Sequence, residues 1–370
     1  MHVDALTESL QLRLIEDTEN FFQKRSCCWG TSSFIIDDER KCWHLYAGNT
    51  AEFPLISPKL RSSRISQVAC GYNHVSFLSY EGYVWWYGTD DFDDGFFDPP
   101  SLCIIKDMPL ITGISSCCDT FCIAEDSTLW CYERKKNKSL RVQNLENVQQ
   151  VICGASHSFV ICEDGSILAK GPNLVCQLGV SGRLDEFTKV TLLHNENELE
   201  VTSIACGIFH TLFLTSNGNV YGCGSNEYHQ LGDIDASSAL IQLPVHNISQ
   251  IACGKTFSLF LDHNNVLWKL GPQNKKSASS GIPSKINIKG RVTGISGSYN
   301  DYCLLLNEEG NLWRLDFSAY QKIGSTDKHQ IKGIRFKVIL DEIPEFRNFK
   351  DQVSWNRSCY VSYMFITHSN

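Results

Sequence analysis

The chain has 370 residues, 42% of them hydrophobic and 20% charged, with a net charge of −8 at pH 7. That composition excludes a disordered chain, and its length is enough to bury a sizeable core without metal or disulfide staples. The acidic balance argues against a dedicated polyanion binder, which needs a basic face, and no apolar run is long enough to span a bilayer.

Residues 1–24 form a separate N-terminal segment, either a short helix or a strand. Leu6, Leu10 and Leu14 fall four apart, while Leu10, Leu12 and Leu14 alternate. The segment carries Asp4, Glu8, Glu16, Asp17 and Glu19 and lacks the basic start and apolar run of a secretory signal. The seventeen cysteines are therefore expected to be reduced thiols in a cytoplasmic or nuclear protein.

From residue 25 onward a unit repeats. Val68-Ala69-Cys70-Gly71-Tyr72-Asn73-His74 opens one copy, and Val84-Trp85 closes it. Val151 to His157, Ile204 to His210 and Ile251 to Gly254 open further copies, with Gly154, Gly207 and Gly254 at the place of Gly71. Weaker copies put Cys117, Ser298 and Asn356 there. Thr120, Phe257 and Asp301 or a neighbour take the place that His74, His157 and His210 hold elsewhere.

Each copy alternates or runs apolar, as in Leu212-Phe213-Leu214, then turns at Asn217-Gly218-Asn219 or His263-Asn264-Asn265. The return arm is Val220-Tyr221, matched by Leu129-Trp130, Leu267-Trp268 and Leu312-Trp313. A unit of roughly 50 residues built from short strands predicts a propeller blade. The fold expected is all-β, a seven-bladed propeller. Val353 to Asn356 and Cys359 to Val361 supply the first strands of its last blade. Ser33 to Ile36 and Cys42-Trp43 complete that blade from the N-terminus, removing open sheet edges.

These residues resemble the regulator of chromosome condensation repeat family. The resemblance is carried by Tyr221-Gly222-Cys223-Gly224-Ser225-Asn226 with Gln230-Leu231-Gly232, and by Gly171-Pro172-Asn173 with Gln177-Leu178-Gly179. It implies one propeller over residues 25–370 and protein partners, either a small GTPase of the Ran type or a chromatin-associated protein. It also implies possible nucleotide-exchange activity through a wedge-like insertion, for which residues 180–200, including Arg183, Asp185 and Glu186, stand nearest in position.

The repeated cysteines and histidines do not spell a metal site. No Cys-x-x-Cys or His-Glu-x-x-His spacing occurs, and a repeated His is best read as pinning a turn to nearby backbone. No phosphate-binding loop, nucleophile elbow or kinase signature occurs either, so no catalytic residue and no cofactor are assigned. Recognition is therefore expected where the repeat breaks. Residues 89–100 set Asp90, Asp91, Asp93 and Asp94 among Phe92, Phe96 and Phe97. Two readings stay open there: an acidic, aromatic patch for a basic partner, or a solvated loop whose rings fold back onto the blade. Arg134, Lys135 and Lys136 lead the one basic cluster, which either meets an acidic surface or phosphate, or is simply solvated. Direct nucleic-acid binding is not expected. The segments 272–291 and 316–348 are the other long ones, the second containing a packed strand.

Overall fold

The computed structural model describes residues 26–29, 32–36, 42–46, 49–53, 64–71, 73–88, 101–233, 240–272, 281–288, 290–297, 302–308, 311–316 and 328–335. These residues form seven antiparallel four-stranded sheets in chain order, and no α-helix. Sheet one is Ser26–Trp29, Ser32–Ile36, Cys42–Tyr46 and Asn49–Phe53. Sheet two is Ile65–Cys70, His74–Ser79, Val84–Gly88 and Ser101–Ile104. Sheet three is Ile111–Ser116, Thr120–Ala124, Leu129–Glu133 and Lys138–Arg141. Sheet four is Val148–Cys153, Ser158–Cys162, Ile167–Gly171 and Leu184–Val190. Sheet five is Val201–Cys206, His210–Thr215, Val220–Gly224 and Ile241–Gln242. Sheet six is Ile248–Cys253, Ser258–Asp262, Leu267–Leu270 and Ser284–Ile286. Sheet seven is Val292–Ser296, Tyr302–Asn307, Asn311–Asp316 and Lys328–Arg335.

The first strands of successive sheets pack against one another, so each sheet runs outward from a shared inner line of strands. The core is consequently divided into layers between neighbouring sheets. Phe34, Ile36, Val68 and Phe77 fill the layer between sheets one and two. Leu212, Leu214, Ile251 and Phe260 fill the one between five and six. Each fully buried side chain of this kind contributes about 2 kcal/mol, so a blade is stable only with a neighbour to cover it.

The hairpin arms fall where the alternation places them: Phe213 pairs with Tyr221 and Leu214 with Val220 across a turn in which Gly218 has φ +76°. Gly is suited to that left-handed position because it lacks a Cβ. The strand expected within 316–348 is Lys328–Arg335, and Leu184–Val190 is a regular outer strand of sheet four.

One expectation is corrected. Ser33 to Ile36 and Cys42-Trp43, expected to complete a blade begun by the C-terminal strands, fall in a sheet whose four strands all come from residues 26–53. The reason is local: Trp29 pairs with Ser32, so Ser26–Trp29 folds straight back onto the next strand and takes the first place in the sheet. The N-terminal segment 1–24 and the C-terminal strands expected at 353–361 lie outside the described residues.

Candidate interaction face

Antiparallel order fixes which connections share a face. In every sheet the turn between strands one and two lies at the same end as the turn between strands three and four. The tight hairpins between strands two and three, and the links to the next sheet, lie at the opposite end. All the Cys-Gly-x-x-His elements therefore share one face, called here the loop face. It also carries the long connections after the third strands, such as 172–183 and 225–233.

The repeated histidines tie neighbouring sheets together on this face. His157 Nε2 lies 2.9 Å from Thr211 Oγ1 of the next sheet, and Thr211 Oγ1 donates to the Gln177 carbonyl at 2.7 Å. Sheet five repeats the arrangement: His210 Nε2 is 3.2 Å from Ser258 Oγ, which donates to the Gln230 carbonyl at 2.7 Å. A hydroxyl has one proton. With that proton given to the glutamine carbonyl, each histidine must donate from Nε2 and carry no proton on Nδ1. The Nδ1 atoms of His157 and His210 are buried without a partner, as an orphaned acceptor rather than the costlier orphaned N–H. The Gln-Leu-Gly finish thus supplies the carbonyl that completes the clamp. Asn173 and Asn226 shape it by accepting from the Leu178 and Leu231 amides at 2.9 and 2.8 Å.

Burial keeps these rings neutral. It lowers the pKa of His157 to about 3, helped by His210, and that of His210 to about 4. His74 is lowered to about 3 by burial first and by Arg134 second. The glycine of the element is required because the ring occupies its side-chain space. A Cβ on Gly154 would run into His157, one on Gly207 into His210, and one on Gly254 into the ring of Phe257, which stands in for histidine there.

Sheet three departs from the sequence alignment. Thr120 was aligned with the histidines, but the Cys117 amide donates to the Asp119 carbonyl at 2.9 Å, as the Gly154 amide donates to His157. The turn is one residue shorter, so Asp119 holds the histidine position. Thr120 is the hydroxyl residue that follows it, and it meets His74 Nε2 at 2.9 Å and Ser76 Oγ at 2.8 Å.

The cysteines of the element are packing residues. Burial pushes the thiols of Cys206 and Cys253 well up, and for Cys117 the hydrogen bond with Cys153 leads and burial adds to it. Exposed Cys118 is raised to about 11, by burial first and then by Cys117 and Asp119, so none of these is poised as a thiolate. Twelve described cysteines form no disulfide. Cys70 is disulfide-bonded and departs from the expectation of reduced thiols. Among the described residues no His, Cys, Asp or Glu side chains group as a metal-binding set, and no helix is long and apolar enough to cross a membrane.

The basic trio is divided by its surroundings. Arg134 is half-buried; its guanidinium lies 4.3 Å from the Trp86 ring of sheet two and donates to Tyr132 Oη at 3.2 Å. Trp86 stacks in turn on His74, with ring centroids 5.6 Å apart. Lys136 pairs with Glu133 at 2.6 Å, and exposed Lys135 stands beside it on the same short 3₁₀ turn. The turn closes because Asn137 takes a left-handed conformation, φ 46°. Asp90, Asp91, Phe92, Asp93, Asp94, Phe96 and Phe97 lie outside the described residues. The ends of their loop, Gly88 and Ser101, pair with each other on the loop face. The wedge-like insertion sought in 180–200 is not one feature. Asp185 and Glu186 sit in the outer strand of sheet four, and Leu193–His194 with Asn197–Glu198 form a small hairpin on the opposite face.

Sequence reasoning missed the apolar side chains on the loop face: Leu174, Val175, Phe209, Tyr228 and Ile282 are all exposed. Phe209 occupies a variable place in Gly-x-x-His, and an aromatic ring at such a turn position was the available signal.

Two sequence profiles, both described as the Regulator of chromosome condensation (RCC1) repeat, match residues 201–230 and 217–261. Residues 201–261 carry RCC1 repeats. It is 35% identical over 152 residues to the X-linked retinitis pigmentosa GTPase regulator homolog of Caenorhabditis elegans, covering 37% of this chain and 11% of that protein. It is 26% identical over 252 residues to the probable E3 ubiquitin-protein ligase HERC4 of Rattus norvegicus, covering 66% of this chain and 21% of the ligase. The chain thus spans only about a tenth to a fifth of these curated relatives. Among solved structures it is similar to Prp20p of Saccharomyces cerevisiae, reported with its binding properties to Gsp1p and histones. That match has a TM-score of 0.60 and 17% identity, and covers 74% of this chain and 80% of that one. The RCC1-repeat β-propeller is the fold of this chain.

Proposed function

We propose that this RCC1-repeat chain is a non-catalytic interaction platform in small-GTPase- or chromatin-linked regulation, holding protein partners on its loop face. The observation that carries the reading is the clamp. The repeated Gly, His and Gln residues are consumed in tying sheets four, five and six together, so the loops between them project from a fixed frame. Rigid presentation of several loops lowers the ordering cost of binding a macromolecular partner. The direction of the regulation is suggested by what the relatives are called: a GTPase regulator homolog, and a yeast protein studied with Gsp1p and histones. Action in the cytoplasm or nucleus, and one propeller over residues 25–370, belong to the same proposal.

The nearest competing reading is an exchange factor for a Ran-like GTPase. The test is release of labelled GDP from such a GTPase at micromolar concentrations of this protein. No acceleration is expected, and acceleration would replace the platform reading with exchange. A chromatin adaptor would instead need salt-sensitive nucleosome binding that drops when Lys135 and Lys136 are neutralised.

A further inference from the structure

Five of the exposed large apolar side chains lie on one run of the loop face, across sheets four, five and six. Leu174, 93% exposed, and Val175 come from the long loop of sheet four, Phe209 and Tyr228 from the two loops of sheet five, and Ile282 from sheet six. Hydrogen bonds and close packing make the run continuous. The Val175 amide donates to Gln177 Oε1 at 3.2 Å, and a Cβ on Gly224 would stand 3.2 Å from that of Gln177. The Phe209 carbonyl accepts from the Ser225 amide at 2.7 Å, and the Tyr228 amide donates to Gln230 Oε1 at 2.9 Å. The Asp233 amide reaches the Gly281 carbonyl at 3.2 Å, next to Ile282. These loops are held by the two clamps, so the apolar side chains are displayed on fixed backbone rather than on a surface free to fold them away.

The charges on the run say what covers it. Glu227 and Asp233 are exposed on either side of Tyr228 on the same outer loop, with Asp233 79% exposed. Lys255 is exposed on the inner turn of sheet six. An anionic membrane surface would meet these carboxylates with like charge and is disfavoured; a second copy, which a two-fold axis along the run would dock with Lys255 against them, is an outcome that the test reads. We propose that this run docks a segment of a partner protein that offers apolar side chains flanked by Lys or Arg. The apolar groups would pack among Leu174, Phe209, Tyr228 and Ile282, while the basic flank meets Glu227 and Asp233 at the outer edge and Lys255 disfavours a cation at the inner edge. Aromatic anchors with a charged rim are the arrangement that concentrates binding energy at protein interfaces.

The proposal rests on the platform reading, and the experiment separates the two. Random short peptides displayed on phage are selected against the full chain, and the enriched sequences are resynthesised for fluorescence anisotropy. Apolar-basic peptides are expected to enrich. Their binding should weaken at least about tenfold in a Phe209→Ser, Tyr228→Ser, Ile282→Ser variant whose circular dichroism melt is unchanged. Should that triple variant unfold, the exposed pair Glu227→Lys and Asp233→Lys gives the second reading. It should lose the basic peptides and select acidic-flanked ones instead. Peptides that lack basic residues, or that bind both variants as tightly as the parent, overturn this docking surface and leave the platform intact. Absence of any enriched peptide overturns it as well. Self-association in sedimentation that disappears in the triple variant would assign the run to a second copy and overturn the proposal. GDP-release acceleration bears on the platform reading alone.

Discussion

Sheets four to six and sheets two to three solve the same problem with different residues. In the first region each joint is a histidine donating to a Ser or Thr hydroxyl that donates to a glutamine carbonyl. In the second, sheet three has the shorter turn with Asp119 in the histidine place. His74 meets a cluster of hydroxyls from Ser76, Ser116 and Thr120 and lies under Trp86, which Arg134 covers. The comparison teaches that a clamp built from one repeated motif can be replaced by packing, provided the buried histidine still has a partner and stays neutral.

The comparison is broken most severely by acid. An unfolded histidine takes up a proton near pH 6.5, whereas His74 and His157 resist until about pH 3 and His210 until about pH 4. Their folded pKa values are lowered, so the unfolded chain binds more protons below pH 6.5. Stability is therefore full above that pH and falls as pH drops towards 4, by about 1.4 kcal/mol per pH unit for each ring. Denaturant unfolding across this window should show the loss, and His157→Gln, which keeps an amide donor, should make the slope shallower by about a third. An unchanged slope would mean that His157 is not held neutral.

Next in size is the repeated clamp itself. Thr211→Val leaves the His157 Nε2–H buried without its partner and the Gln177 carbonyl with only the weak Cys223 thiol donor at 3.4 Å, and should cost about 2–3 kcal/mol in denaturant unfolding. Thr120→Val should cost less, because the Ser76 and Ser116 hydroxyls that Thr120 meets still pair with each other. Equal losses would show that the hydroxyl cluster does not substitute for the clamp.

The smallest effect sharpens the other half of the comparison. Arg134→Ala should cost about 1 kcal/mol through lost packing over Trp86, while Lys135→Ala should fall within about 0.5 kcal/mol of the parent. The melting temperatures of the two variants would test this directly. Indistinguishable values would place both side chains on a solvated turn.

Much of the fold was legible because hairpin pairing is local. Phe213 and Tyr221, or Leu261 and Leu267, are a few residues apart, and alternation with turn residues at Asn217-Gly218 and Asn264-Asn265 is enough to set their register. The first strand of sheet one went unrecognised because Ser26–Trp29 lacks the Cys-Gly-x-x-His element that marks its counterparts. The site was less legible. The basic cluster reads as one feature in sequence, yet whether a cation is engaged depends on Trp86, 48 positions before Arg134, and on which neighbour is negative.

By itself the sequence determined the strands, the hairpin turns, the repeat and the absence of metal-ligand spacings, since each depends on residues within one unit. Only the tertiary structure decided which nitrogen of His157 and His210 carries the proton, why Gln-Leu-Gly closes a repeat, and which apolar side chains stay exposed. Those outcomes rest on hydrogen bonds between residues 28 to 54 positions apart and on burial between sheets, which no single repeat can express alone.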